Sequence, residues 1–181
     1  MKETFDRLYD EYHHALFQFL FYMVRNRESA EDLVQEVYIR VLNSYESFEG
    51  KSTEKTWLYS IARHVAIDWL RKQARRSKKF LFFDIKESEN VLHDQDPLPE
   101  ELVAKKESFK DLYKMLKRCS FDQQQVLVLR YIQSLSIVET AQILSWTESK
   151  VKTTQHRAIK ELRKWLDQHP GLEEELKDAT N

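Results

Sequence analysis

Two glycines (Gly50 and Gly171) and three prolines (Pro97, Pro99 and Pro170) are the only strong chain breakers in 181 residues. A chain so poor in turn residues offers no hairpin signals that would pair strands, so long helices are expected and the fold class is all-α. The same five residues fall where boundaries belong. Residues 1–76 are expected to form one small helical domain. Over 77–99 the periodicity fails; Asp84 to Asp96 holds five acids and one lysine, and Pro97 and Pro99 close the segment. Such a stretch suits a flexible, self-repelling acidic linker, and its length argues for two domains rather than one. A second helical domain is expected over 100–168. It is followed by an acidic tail, 169–181, where Pro170 and Gly171 stop the helix.

A hydrophobic content of 41% can supply compact cores. Cys119 is the only cysteine, which excludes an intrachain disulfide and fits a reducing cytoplasm. The longest apolar run, Leu16 to Val24, is shorter than the ~18–20 residues needed to span a bilayer, and it lacks the basic start and cleavage site of a signal peptide. It is read as buried helix, and no direct membrane insertion is expected. Catalysis finds no support. His13 and His14 are adjacent and point apart on a helix, and His64, His93, His156 and His169 have no partners at metal-binding spacing. There is no glycine-rich phosphate loop and no nucleophile motif. The chain is expected not to be an enzyme and to need no metal or cofactor.

Net charge is −1, but the charge is unevenly placed. The first 49 residues carry five basic and ten acidic side chains, whereas Gly50 to Phe83 carries nine basic and two acidic. That basic block is interleaved with Trp57, Tyr59 and Trp69. Cations can follow phosphates while aromatics stack on unpaired bases, each stack worth roughly 1–3 kcal/mol. Glu148 to Trp165 is the second basic segment, with six basic and two acidic residues.

Apolar spacing of three and four marks the helices. Phe5, Leu8, Tyr9, Tyr12, Leu16, Phe19, Leu20 and Met23 line the first. Ser29 and Asp32 resemble a capping box opening the second, which buries Leu33, Val37, Val41 and part of Tyr45. The third turns Leu58, Ile61, Ala62, Val65 and Trp69 inward, with Tyr59, Arg63 and His64 toward its other side or edges. Capping-box spacings at Ser120–Gln123 and Ser136–Glu139 start helices at Phe121 and Ile137. The connector Leu144-Ser145-Trp146-Thr147 and a basic helix from Glu148 then make a helix-turn-helix.

Three surfaces are candidates for binding. On the last helix Lys150, Lys152, Thr153, His156, Arg157 and Lys160 gather on one side, fit either for duplex DNA or for solvent. At the basic–aromatic block, Phe48, Lys51, Ser52, Trp57, Tyr59, Arg63, His64 and Arg71 could hold an opened strand. The plainer reading makes Trp57 and Tyr59 partly core residues and the basic end a solvated helix terminus. On the second helix Asp32, Gln35, Glu36, Ile39 and Arg40 share a mixed polar–apolar strip that is otherwise an ordinary charged face.

Several motifs in order then resemble one family. Phe48, Thr56-Trp57-Leu58, Ile61-Ala62-Arg63, Asp68 and Arg71-Lys72 resemble the promoter-melting region of bacterial extracytoplasmic-function (ECF) sigma factors. Ala30 to Tyr38 (AEDLVQEVY) resembles their polymerase-binding helix. With Leu16–Val24 and Glu148–Arg157, the chain looks most like the sigma-X branch of bacilli, over about Glu3 to Trp165. The resemblance implies core RNA polymerase as a partner, docked on Asp32, Gln35, Glu36, Ile39 and Arg40. It implies promoter DNA as the second, with duplex at the −35 element on the last helix and single strand at the −10 element on the aromatic block. It also implies a cognate anti-sigma factor, often membrane-anchored. Family members often have Gly where Ser145 stands and Asn where His64 stands. The alternative is a conventional helix-turn-helix regulator acting without polymerase, which explains 120–165 but leaves Phe48–Arg76 without a role.

Overall fold

The computed structural model describes residues 2–76 and 113–168. The acidic linker, the start of the second expected domain and the acidic tail lie outside the described residues. All regular elements described are helical: α1 (Lys2–Val24), α2 (Arg27–Ser44), a 3-10 turn (Tyr45–Ser47), α3 (Glu54–Arg76), α4 (Phe121–Leu127), α5 (Ile137–Leu144) and α6 (Glu148–Asp167). Residues 113–118 are also helical, and α4 runs on into a π-helical turn over Val128–Ile132.

The ends of these helices follow local chemistry. Between α1 and α2 the chain reverses at Arg25, which takes a left-handed φ of 55°. The capping box expected at Ser29 and Asp32 is not formed. Asn26 caps instead, its side chain accepting from the Ser29 amide at 2.7 Å, and α2 begins three residues earlier, at Arg27. Asn accepts this bond as readily as Ser does, and the extended φ of −140° at Asn26 gives it the geometry of a cap. Downstream both expected boxes form. Ser120 with Gln123 opens α4, and Ser136 with Glu139 opens α5.

Helices α1, α2 and α3 pack on one another, while α4, α5 and α6 make a second set. The two sets also dock, chiefly through α3 against α5 and the C-terminal half of α1 against α4. This accounts for the run Leu16 to Val24. On a one-sided helix it would expose an apolar face, yet Leu16, Phe17 and Phe19 to Val24 are all buried. Phe19 meets the edge of Tyr59 at 5.2 Å, and Phe21 stacks on Tyr113 from the other half at 5.8 Å. One apolar cluster therefore runs unbroken through both halves.

The helix-turn-helix is built as a rigid corner. Ser145 ends α5 in the left-handed region (φ 54°, ψ 43°), and Thr147 caps α6 by accepting from the Lys150 amide. Val151 and Ala158 anchor α6 to the core. A non-glycine residue in that conformation costs roughly 1–2 kcal/mol, against the roughly 0.5–1 kcal/mol that glycine loses in chain entropy. Ser145→Gly is thus expected to stabilise the chain by up to about 1 kcal/mol, raising the thermal midpoint by about 2–4 °C. Thermal unfolding followed by circular dichroism checks this, and an unchanged or lowered midpoint contradicts it.

Candidate nucleic-acid interface

The loop before α3 turns at Gly50, whose φ of 67° favours glycine. Thr53 then closes the first turn, its hydroxyl accepting from the Thr56 amide at 3.1 Å. Around this start three rings converge. Phe48 and Trp57 have centroids 5.0 Å apart, and Tyr45 meets Trp57 edge-on at 5.9 Å. Trp57 and Phe48 are half-buried, so each keeps some ring surface facing out. Ser52 lies half-buried in the loop, and Lys51 is exposed and paired with Glu49.

Glu54 ties this corner together. It accepts from the Tyr45 hydroxyl at 2.7 Å and takes both oxygens to Arg7 of α1, at 2.8 and 2.9 Å. The Tyr45 hydrogen bond, joined by Arg7, holds the Glu54 carboxyl below its ordinary range.

One turn further along, the structure departs from the expected exposure. Tyr59, expected toward the outer side of α3, is fully buried. The reason is that α3 has two covered faces. Leu58, Ala62 and Val65 pack within the N-terminal set, and the opposite face meets the C-terminal half. The Tyr59 hydroxyl donates to Gln133 Oε1 at 2.6 Å, and burial raises its pKa. Arg63 is half-buried and donates through Nε to Gln125 Oε1 at 3.0 Å, with desolvation lowering its pKa. In this conformation neither is open to a base.

His64 and Arg71 are exposed. They line a cleft of about 370 Å³ between the halves, with Arg63 and Asp68 on one side and Trp146 and Lys150 on the other. The cleft brings together residues of both basic segments that the sequence places far apart.

On α6, Lys150, Lys152, Thr153, His156, Arg157 and Lys160 are all exposed on the side away from Val151 and Ala158. Lys150 Nζ lies 3.6 Å from the Trp146 ring centroid, which steadies the start of the helix. The stripe is continuous and faces solvent.

On α2, Asp32, Gln35 and Ile39 are exposed, and Glu36 and Arg40 half-exposed. Arg40 donates to Glu36 at 2.9 Å and reaches Asp68 of α3 at 3.6 Å. Ile39 is 54% exposed, an apolar side chain in a charged strip, and with Gln35 it borders a groove between α1 and α2 that also holds Tyr9 and Leu42.

The sequence reading missed Gln124, Gln125 and Gln133, the buried amides that join the halves. Gln124 donates to the Tyr22 carbonyl at 2.7 Å and accepts from Arg25 at 3.1 Å. A signal was available: Gln124, Gln125 and Gln133 flank the apolar run Val126–Leu129, and a long amide beside a buried stripe needs a partner.

Residues 8–76 match the family model for sigma-70 region 2, and residues 116–164 match that for sigma-70 region 4. The ECF RNA polymerase sigma factor SigX of Bacillus subtilis is 54% identical, covering 98% of this chain and 90% of SigX. The chain belongs to the ECF sigma factors. The sigma factor YlaC of the same organism is 36% identical, covering 90% of this chain and 92% of YlaC. Two solved sigma factors share the fold. RpoE of Bartonella quintana, crystallised with the anti-sigma factor NepR, aligns with a TM-score of 0.70 over 91% of this chain and 98% of its own, at 24% identity. CnrH, solved with the cytosolic domain of CnrY, aligns with a TM-score of 0.67 over 92% of this chain and 90% of its own, at 17% identity. In this ECF chain the conventional-regulator reading is the poorer one, since it leaves the region 2 match unused.

Because the Glu54 carboxyl is depressed in the folded state, it adds stability above its unfolded value, and that stability is lost as pH falls through the lower folded value. Glu54→Gln is expected to be less stable than wild type at neutral pH and to lose less on acidification to about pH 3. Urea midpoints at the two pH values measure this. Equal losses in both proteins would remove Glu54 from the acid response.

Proposed function

We propose that this chain directs core RNA polymerase to promoters in the cytoplasm, with the polymerase performing the chemistry. Region 2 docks through the α2 strip and captures the melted −10 strand, and α6 lies in the major groove of the −35 duplex. What carries the reading is that a region 2 block with an aromatic cluster and a separate, fully exposed cationic helix face occur in one chain. A duplex-binding helix accounts for only the second.

The parts have suitable chemistry. Cations at four-residue spacing on α6 can meet phosphates while Thr153 or His156 reaches a base edge. The Phe48–Trp57 pair offers ring faces, Arg63 and Arg71 offer charge, and His64 offers a hydrogen-bonding edge to an extruded base. Ile39 supplies an exposed apolar anchor that a partner would desolvate, and the charges around it favour encounter and orientation. NepR and CnrY accompany the two solved sigma factors. A cognate anti-sigma factor, membrane-anchored in many such systems, is the corresponding partner here. No described helix is long and apolar enough to cross a membrane.

Lys152→Ala and Arg157→Ala are expected to weaken −35 engagement of the assembled holoenzyme and to leave polymerase binding intact. Each lost phosphate contact should reduce the salt slope of promoter binding by about one. Wild-type affinity and slope in both variants would remove α6 from the interface. At −10, Tyr59→Ala would open a large cavity, costing about 3–5 kcal/mol, and would report on folding. Tyr59→Phe and His64→Ala are the cleaner pair. Both should reduce permanganate reactivity of promoter thymines more than closed-complex formation, with partial rescue on a premelted template. Wild-type reactivity on matched duplex in both would mean that strand capture uses another surface.

A further inference from the structure

The donors of α3 form a row. Lys55 and Thr56, then Tyr59, then Arg63 lie at successive turns of one face, and each donates to the C-terminal half. Lys55 reaches the Gln133 carbonyl at 2.7 Å, Thr56 the Glu139 carboxylate at 3.3 Å, Tyr59 the Gln133 amide oxygen at 2.6 Å and Arg63 the Gln125 amide oxygen at 3.0 Å. Two of these donors, Tyr59 and Arg63, are residues assigned above to the opened strand. The oxygens that receive them are, in the main, amide carbonyls, the acceptor type that a base presents along its edge. The α6 stripe, in contrast, stays exposed in the same conformation.

We propose that the free chain masks its own strand-capturing face, with Gln125 and Gln133 of region 4 standing in for the bases that Arg63 and Tyr59 would otherwise hold. This rests on the reading of α3 given above and adds an intramolecular competitor to it. Closure and strand binding draw on the same donors, so each must weaken the other by the same factor. Lys150 borders the cleft, but the rest of the duplex-binding face, Lys152 to Lys160, takes no part in the contest. A chain closed in this way can present its −35 surface while its −10 surface stays shut, and it opens only when polymerase or an available strand displaces the glutamines.

The interface has the character such a switch needs. Its hydrogen bonds exchange for bonds to water when the halves part, so each adds little to closure. Removing only the acceptors leaves Tyr59 and Arg63 buried without partners in the closed form, while in the open form water satisfies them. Gln125→Ala with Gln133→Ala is therefore expected to open the chain without removing either helical set. Gln125→Glu puts a carboxylate opposite Arg63 and is expected to tighten closure.

Dyes placed at exposed Asn43→Cys and Glu161→Cys on the full-length chain report the separation of the halves. The natural Cys119 is buried, its thiol pushed up to about 11 by desolvation, and so labels slowly. Wild type should show high energy transfer and weak binding of a single-stranded −10 oligonucleotide. The double alanine variant should lose transfer and keep its helical circular dichroism. It should also bind the strand about tenfold tighter if about one wild-type molecule in ten is open. Gln125→Glu should keep high transfer and bind the strand more weakly than wild type. Equal transfer in wild type and the double variant overturns closure. Lost transfer without tighter strand binding, or Gln125→Glu binding the strand as wild type does, overturns masking. Adding Arg63→Ala to the opened double variant separates the two layers. If strand affinity is then unchanged while transfer remains low, closure stands and the strand-capture reading of α3 fails.

Discussion

The hydrogen bond from Tyr59 to Gln133 sits where the two halves of the molecule depend on each other. Helix α3 carries apolar or aromatic side chains around most of its circumference, so one neighbour cannot cover it. Its inner face is satisfied by α1 and α2, and its other face by the C-terminal half. A buried tyrosine hydroxyl without an acceptor would cost about 1–3 kcal/mol, so the second contact fixes where Gln133 must sit. Gln133 in turn follows the π-helical turn, whose extra residue re-aims the chain as α4 ends. Arg130 from within that turn donates to the Leu135 carbonyl and to Gln155 of α6, so the turn that presents Gln133 to α3 is also braced against α6.

That interface is mixed in a way that matters for an ECF sigma factor. Its aromatic part, Phe21 on Tyr113, belongs to α1. Its part over α3 adds a row of hydrogen bonds, most of them to amide oxygens. Apolar surfaces of that size, once joined, lose area in proportion when parted, whereas amide–donor contacts come close to breaking even against water. The face of α3 proposed to hold the opened strand therefore includes contacts that can let go. Electrostatics points the same way. Bringing region 2 and region 4 together sets Arg63 and Arg71 near Lys150 around one cleft, with Asp68 and Asp122 relieving only part of the repulsion. A polyanion entering that cleft would replace weak carboxylate compensation with phosphates.

The all-α class, the two capping boxes of the C-terminal half and the exposed side of α6 were legible because each depends on residues within a few positions of one another. Ser120 with Gln123 and Ser136 with Glu139 are local arrangements, and the α6 stripe faces away from Val151 and Ala158 at plain helical spacing. The start of α2 was misread because Asn26 and Ser29 are both competent caps and only the backbone at Arg25 decides between them. Tyr59 was misplaced for a different reason. Helical periodicity reports one buried face, and a helix covered on two sides by different parts of the chain breaks that assumption. The covering residues, Gln125 and Gln133, are more than sixty positions away and polar, so neither hydropathy nor spacing announces them.

The α2 strip and the α3 interface are physically joined, and magnitude decides how. Arg40 bridges Glu36 of its own helix to Asp68 of α3, and Asp68 borders the cleft between the halves. It is tempting to treat this bridge as a lever through which docking at α2 would pull on the closed interface. Both partners are close to half-exposed, and pairs of that kind contribute about 0–1 kcal/mol, too little to move a packed interface. The packing of α2 against α3 is a stronger connection, since displacing buried side chains from such a seam means losing area on several of them at once. If polymerase docks on α2 and the opened strand on α3, as proposed, any influence of one on the other travels through movement of α2 and α3 together. The ion pair orients side chains of the α2 strip, and the apolar seam beneath it is the stronger link between α2 and α3.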